Sequence, residues 1–168
     1  LVWRNDELWG TSTVVPPSGE TDAGEATAFY GQIDVSTLGD PTPGANDFLG
    51  GEDVETGAHT YFPSVAVDAS GNAAFGFSLS GSNTYVGAYL VTRPSSGGLS
   101  STKLARDGVD SYFRNFGGGQ NRWGDYSGVE IDPSDGSVWT INKVALAEAS
   151  NCSSDCGRWG TFLTKFAS

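Results

Sequence analysis

The amino-acid sequence predicts an all-β protein assembled from repeated antiparallel sheets, and three observations lead there. The first is composition. Of 168 residues, 24 are glycine and none is methionine, while aromatics reach 12% and charged residues only 17%. A helical bundle would be richer in Ala, Leu, Glu and Lys, and the aromatics offer too much apolar area for a disordered chain. The second is pattern: short apolar or alternating runs recur between clusters of Gly, Pro, Asn, Asp and Ser, as strands and turns do. The third is a repeat. Ser64-Val-Ala-Val-Asp-Ala-Ser-Gly-Asn-Ala-Ala-Phe-Gly-Phe77 aligns without a gap, at an offset of 64, on Gly128-Val-Glu-Ile-Asp-Pro-Ser-Asp-Gly-Ser-Val-Trp-Thr-Ile141.

Taken in chain order, residues 1–3, a turn at 4–6 and residues 8–15 read as a truncated hairpin. Residues 16–26 form a loop, and 28–35 are the next strand. Residues 37–60 are rich in Gly, Pro and Asp and read mostly as loop. Each copy of the repeat then reads as a hairpin: an apolar strand ending in Asp, a Ser/Gly/Asn/Asp turn, and a returning strand. In the first copy Phe75, Phe77 and Leu79 point to one face and Ala74, Gly76 and Ser78 to the other. The small residues of the second face let a neighbouring sheet approach closely. The gapless alignment sets Phe75 on Trp139 and Phe77 on Ile141. Residues 84–92 make a third strand, 94–98 a turn and 99–104 a fourth strand. The second copy opens another sheet near Asp125 that closes on residues 160–166, with 144–149 as one helical turn between them.

Four antiparallel strands in about 60 residues is the size of one propeller blade. The expected architecture is therefore β-propeller-like, with two to three four-stranded antiparallel blades in one structural domain. Residues 1–60 are a partial N-terminal blade plus loop, 61–108 a complete blade, and 109–168 a C-terminal blade carrying the cysteines. Closed propellers have about 4 to 8 blades. The ring is thus incomplete, and it needs the remaining blades of a larger protein or copies of itself to cover its open faces and edges.

A net charge of −11 repels phosphates and anionic headgroups, which argues against nucleic-acid and membrane-surface partners. No stretch is long and apolar enough to span a membrane. Cys152 and Cys156 read as a small disulfide-closed loop, with two free thiols as the alternative; zinc would need more ligands, and the one histidine, His59, is distant in sequence. A disulfide implies a secreted or extracellular protein. Asn151-Cys152-Ser153 fits a glycosylation sequon. The chain opens on Leu1 with no signal peptide, as a mature, processed or truncated product would.

Several of these runs resemble one family. Tyr61-Phe-Pro-Ser-Val-Ala-Val-Asp-Ala-Ser-Gly-Asn, the strand ending Leu90-Val-Thr-Arg93, and Asn121-Arg-Trp-Gly-Asp-Tyr-Ser-Gly followed by Asp132-Pro-Ser-Asp are similar to sialidase-like β-propeller regions of secreted bacterial proteins. The likeness runs from about Tyr30 to the C-terminus. It implies an extracellular module that lacks a demonstrated reaction of its own. Asp132-Pro-Ser-Asp-Gly136 with Trp139 loosely echoes the Asp-box of true sialidases, a folding device rather than a catalytic one. The arginine cluster and Tyr/Glu pair of those enzymes find no counterpart here.

In propellers the link into the innermost strand of each blade usually lies on the ligand-binding face. Residues 59–63, with Tyr61, and residues 117–126 hold that position. The second link carries Arg122, Trp123, Asp125 and Tyr126, groups that suit carbohydrate: aromatic faces stack on sugar C–H surfaces while Arg and Asp bond hydroxyls. A structural reading stands beside it, with Trp123 packing between blades and Arg122 paired to Asp125. Arg93 reads as the partner of a carboxylate.

Glycoside hydrolysis needs two facing carboxylates about 5 to 9.5 Å apart. Asp125 and Glu130 on one strand do not supply them, so a glycosidase would borrow Glu52, Asp53, Glu55 or a carboxylate from elsewhere. No nucleophile elbow accompanies His59. No cofactor is expected. Calcium is the one candidate ion, at Asp68/Asn72, at Asp132/Asp135 or in the loop 51–55, though none has EF-hand spacing. The expected function is an extracellular binding or structural module, with carbohydrate as the candidate ligand. The alternatives are part of a sialidase-like glycosidase and an architectural subunit of a surface assembly or filament.

Overall fold

The computed structural model of the chain describes residues 1–37, 39–152 and 154–167, and contains no helix among them. Among the described residues eleven strands form three antiparallel sheets. The first holds β1 (Val2–Arg4), β2 (Glu7–Val14), β3 (Thr27–Asp34) and β4 (Thr42–Leu49) in that order. The second holds β5 (His59–Val67), β6 (Ala73–Ser80), β7 (Gly87–Arg93) and β8 (Lys103–Arg106) in that order. The third has three strands, not four: β9 (Gly128–Ile131), β10 (Val138–Leu146) and β11 (Arg158–Phe166), with β10 in the middle. None closes on itself. The all-β, incomplete propeller-like arrangement expected from the sequence is what the chain forms.

The first sheet is more complete than its sequence suggests. The loop expected over 37–60 contains β4, a full strand that includes Pro43, Gly44, Asn46 and Asp47. These residues are poor strand formers, but β4 is an edge, where proline is tolerated and no second partner must be matched. The helical turn expected at 144–149 is also absent, because Val144, Ala145 and Leu146 extend β10 and pair with Gly160, Trp159 and Arg158. The fourth strand of the second sheet starts at Lys103, later than expected at residue 99.

The sheets stack face to face, and chemistry differs at the two joints. Trp9, Ala28, Tyr30 and Leu49 of the first sheet pack on Val65, Val67, Phe75, Phe77 and Leu79 of the second. Tyr30 and Phe75 rings lie 4.7 Å apart. Arg93, expected to meet a carboxylate, instead lays its guanidinium 5.7 Å from the Trp9 ring centre, which shields its charge by cation–π contact. The opposite face of the second sheet is made of small residues, as foreseen, and the third sheet presses into it. A Cβ on Gly76 would stand 2.6 Å from Val129 Cγ2. Ala66, Ala74, Leu90 and Val129 form the core of this joint.

The repeat equivalence holds on β9 but not on β10. Val65 pairs with Phe75, whereas Val129 pairs with Thr140 rather than Trp139. The reason is the turn: Asp68 N–H donates to Asn72 O, but Asp132 N–H donates to Ser137 O, one residue further on. A one-residue slip moves every following side chain to the other face. Thr140, Asn142 and Val144 therefore face inward and are buried, while Ile141 faces out and Trp139 is only partly covered.

Polar groups fasten the stack at its centre. Thr60 Oγ1 donates to Leu49 O and accepts from Ala28 N–H, at 2.7 and 2.8 Å. Phe62 sits in the left-handed region with φ 53° at a bulge in β5, where the pairing slips between Tyr61 and Ser64. Its N–H donates to Thr13 Oγ1 of the first sheet, and its carbonyl accepts from Ser127 Oγ beside the third.

Candidate functional site

The link at residues 117–126 reaches β9 with no strand of its own. Its residues divide into two groups. Trp123 is half-buried at the joint between the second and third sheets: its indole N–H donates to Ser78 Oγ at 3.3 Å, and its ring meets Tyr112 edge-on at 4.8 Å. Ser78 also bonds Asn142 of β10 and stands opposite Tyr61 across the β5–β6 ladder. Tyr61 is likewise half-buried, and its hydroxyl bonds Ser80 Oγ at 3.0 Å. Burial pushes the Tyr61 phenol up to about 12. These two aromatics thus flank one serine-bearing strand.

Arg122, Asp125 and Tyr126 stand outside. Arg122 and Asp125 form an ion pair at 3.7 Å with both side chains largely solvated, a pair of little energetic weight. Tyr126 is 86% exposed, so its ring is free for contact. Glu130 lies on β9, and Asp125 is engaged by Arg122, so the two do not form a facing acid/base pair. His59 accepts from Ala26 N–H through Nδ1, a structural use of its ring.

A groove of about 530 Å³ opens beside this rim, walled by Ser80, Asn83, Thr84, Tyr85, Ser111 and Tyr112. It reaches the contacts of both half-buried aromatics, because Ser80 is the Tyr61 partner and Tyr112 is the Trp123 partner. Sequence reasoning missed its polar wall, since Thr84 read as the start of a strand and the residues before it carry no motif.

Asp155 was missed as well. Cys152 and Cys156 are joined in a disulfide, with Cα atoms 5.6 Å apart. Asp155, held inside that small ring, accepts from Asn115 and Phe116 N–H, each at 2.8 Å. Gly157 N–H donates to Phe113 O. The disulfide loop is therefore the anchor of the segment that carries the rim. The sequon at Asn151 includes Ser153, which lies outside the described residues.

The acidic turns considered for calcium have other occupations. Asp68 accepts from Ser70, Asn72 N–H and Asn72 Nδ2. Asp132 caps Ser134, and Asp135 bonds Lys165 at 2.8 Å. In the loop 51–55, Asp53 accepts from Thr102 N–H and Glu55 from Asn83, leaving Glu52 apart from them. Glu52 instead joins Asp22 and Glu25, two residues no sequence spacing had flagged.

Comparison of the chain with protein-family models, with curated proteins and with solved structures finds no match.

Proposed function

We propose that the chain is a blade-bearing module of a secreted, sialidase-like propeller and recognises carbohydrate at the rim between its second and third sheets. The groove beside that rim carries the reading. Its wall is made of hydroxyl and amide groups with two tyrosines, and Tyr85 is 48% exposed. Sugars are held by such a mixture, aromatic rings taking the C–H faces and short polar groups the hydroxyls. Tyr126, Arg122 and Asp125 stand in solvent on the same link that carries Trp123. The disulfide suits an oxidising compartment. The test is calorimetric titration with oligosaccharides chosen from a glycan screen. Tyr126→Ala and Tyr85→Ala are each expected to weaken binding at least tenfold without moving Tm, whereas unchanged affinity in both would sink the assignment.

The outer sheet faces favour a second reading, an architectural subunit. Beyond the third sheet lie Ile141 (47% exposed), Leu163 (64%) and Trp159 (45%), flanked by Lys143 and Lys165. Beyond the first sheet lies a shallow face of Leu8, Gly10, Ser12, Phe29, Gly31 and Ile33. One end projects bulky residues and the other is hollowed by small ones, as at the joint between the second and third sheets. Residues 1–60 also hold eleven of the twenty acidic residues and one of the nine basic ones, while the projecting face bears lysines. Two copies joined head to tail would give six blades, within the range of closed rings. Light scattering on a sizing column reads this directly: a dimer supports it, and a monomer at every concentration overturns it.

A further inference from the structure

We propose that Asp22, Glu25 and Glu52 form a calcium site that ties the loop before β3 to the loop after β4. Each offers one carboxylate oxygen, and the three lie within 4.8 Å of one another. Oxygens sharing one calcium at 2.3–2.6 Å stand up to about 5 Å apart, so the spacing suits the ion. Clustering alone would be unremarkable on a chain this acidic. The second observation is burial: Asp22 is only 6% exposed, yet its Oδ1 is enclosed with no hydrogen-bond partner, and Glu25 Oε2 is in the same condition.

The surroundings are shaped to hold these groups. A Cβ on Gly50 would stand 2.5 Å from Asp22 Oδ2, so a glycine makes the space that the carboxylate fills. Glu52 is oriented by Gly57 N–H, which donates to its Oε1 at 2.8 Å. Asp22 and Glu25 are set by a turn in which Glu25 N–H donates to Asp22 O. Without a counter-charge, three carboxylates are held against one another while Asp22 Oδ1 and Glu25 Oε2 have no donor to compensate, an arrangement that is costly. Burial first, and then Glu25 and Glu52, push the Asp22 carboxyl above its usual range. A hard divalent cation bound by oxygen removes that conflict. Calcium fits better than magnesium, because loop-borne carboxylates give the flexible, larger cage that calcium accepts, whereas magnesium demands near-ideal octahedral geometry and keeps its waters.

The experiment uses the whole chain, stripped with chelator and dialysed. Calorimetric titration with calcium chloride is expected to show one site per chain. Calcium at a hundredfold excess over its Kd should raise Tm by roughly 5–10 °C, and magnesium by less. Asp22→Asn and Glu52→Gln should each abolish that calcium-dependent shift, while Glu20→Gln, on the same loop but outside the cluster, should retain it. The competing account is a protonated Asp22 with no ion. In that case calcium gives no heat, chelator leaves Tm unchanged, and Asp22→Asn stabilises the chain equally with and without calcium; this outcome overturns the proposal. Equal shifts with both metals would overturn the assignment to calcium.

Discussion

Thr60 is a fully buried hydroxyl whose two bonds both go to backbone groups of the neighbouring sheet. Replacing it with valine keeps the shape but strands Ala28 N–H and Leu49 O, so Thr60→Val should cost about 1–3 kcal/mol by denaturant unfolding. Gly76 is the converse case, a residue defined by what it lacks. Gly76→Ala pushes a methyl against Val129 and should cost about 1–3 kcal/mol through overpacking. The sequence made Gly76 legible as part of a small-residue face, because alternation assigns faces without knowledge of the neighbour. It left Thr60 unread, since nothing local distinguishes a buried threonine at a joint from a surface one. The phenols of Tyr61 and Tyr89 are both pushed up to about 12, chiefly by burial. An unfolded tyrosine releases its proton near pH 10, so the folded chain loses stability as pH rises from there towards 12. Phenolate absorbance should appear in two steps, the later one together with loss of the β-sheet circular dichroism; a single step near pH 10 with the sheet signal intact would contradict this.

Among the elements, strands with good alternation were legible and those shaped by their position were not. β6 and β7 announce themselves by their apolar runs. β4 does not, because an edge strand can carry Pro43 and Asp47 that an interior strand would reject. The third sheet shows the limit of a gapless repeat: identity of residue type survived, but one extra turn residue reversed what faces the core. Asp135, which caps Ser137 and pairs with Lys165, secures that turn, and its carboxyl is held well below the usual range, first by Lys165 and then by Ser137. Such a group stabilises the fold above its unfolded pKa and loses that contribution as pH falls through the folded one. The β10–β11 end should therefore fray in strong acid, visible as faster amide exchange at Val138 and Trp139, and Lys165→Met should bring the same fraying to neutral pH. The disulfide is a local device too. A ring this small is worth about 2 kcal/mol by loop entropy. Cys152→Ser with Cys156→Ser should lower Tm modestly but expose residues 113–126 to protease, because Asp155 loses the frame that aims it at Asn115 and Phe116.

For the whole molecule, the sequence was legible in architecture and in incompleteness. Counting hairpins against the blades a ring requires needs no coordinates. The candidate site was legible only in part: Arg122, Trp123, Asp125 and Tyr126 came from one contiguous run, while the groove, Asp155 and the carboxylate cluster join segments far apart in sequence. Should the two outer faces meet in a dimer, Leu163→Asp should disperse it on the sizing column and leave monomer Tm unchanged, since that side chain contributes nothing to either internal joint. A stack of repeats ordinarily opens from its ends, one unit at a time. Here one residue in the middle holds both neighbours: the amide of Phe62 is tied to Thr13 and its carbonyl to Ser127. Peeling either outer sheet away breaks a bond at that one residue, whose backbone already lies in the left-handed region. Phe62 thus makes the opening of one sheet felt by the other two, and its hydrogen exchange would track the opening of the stack as a unit rather than the breathing of a single hairpin.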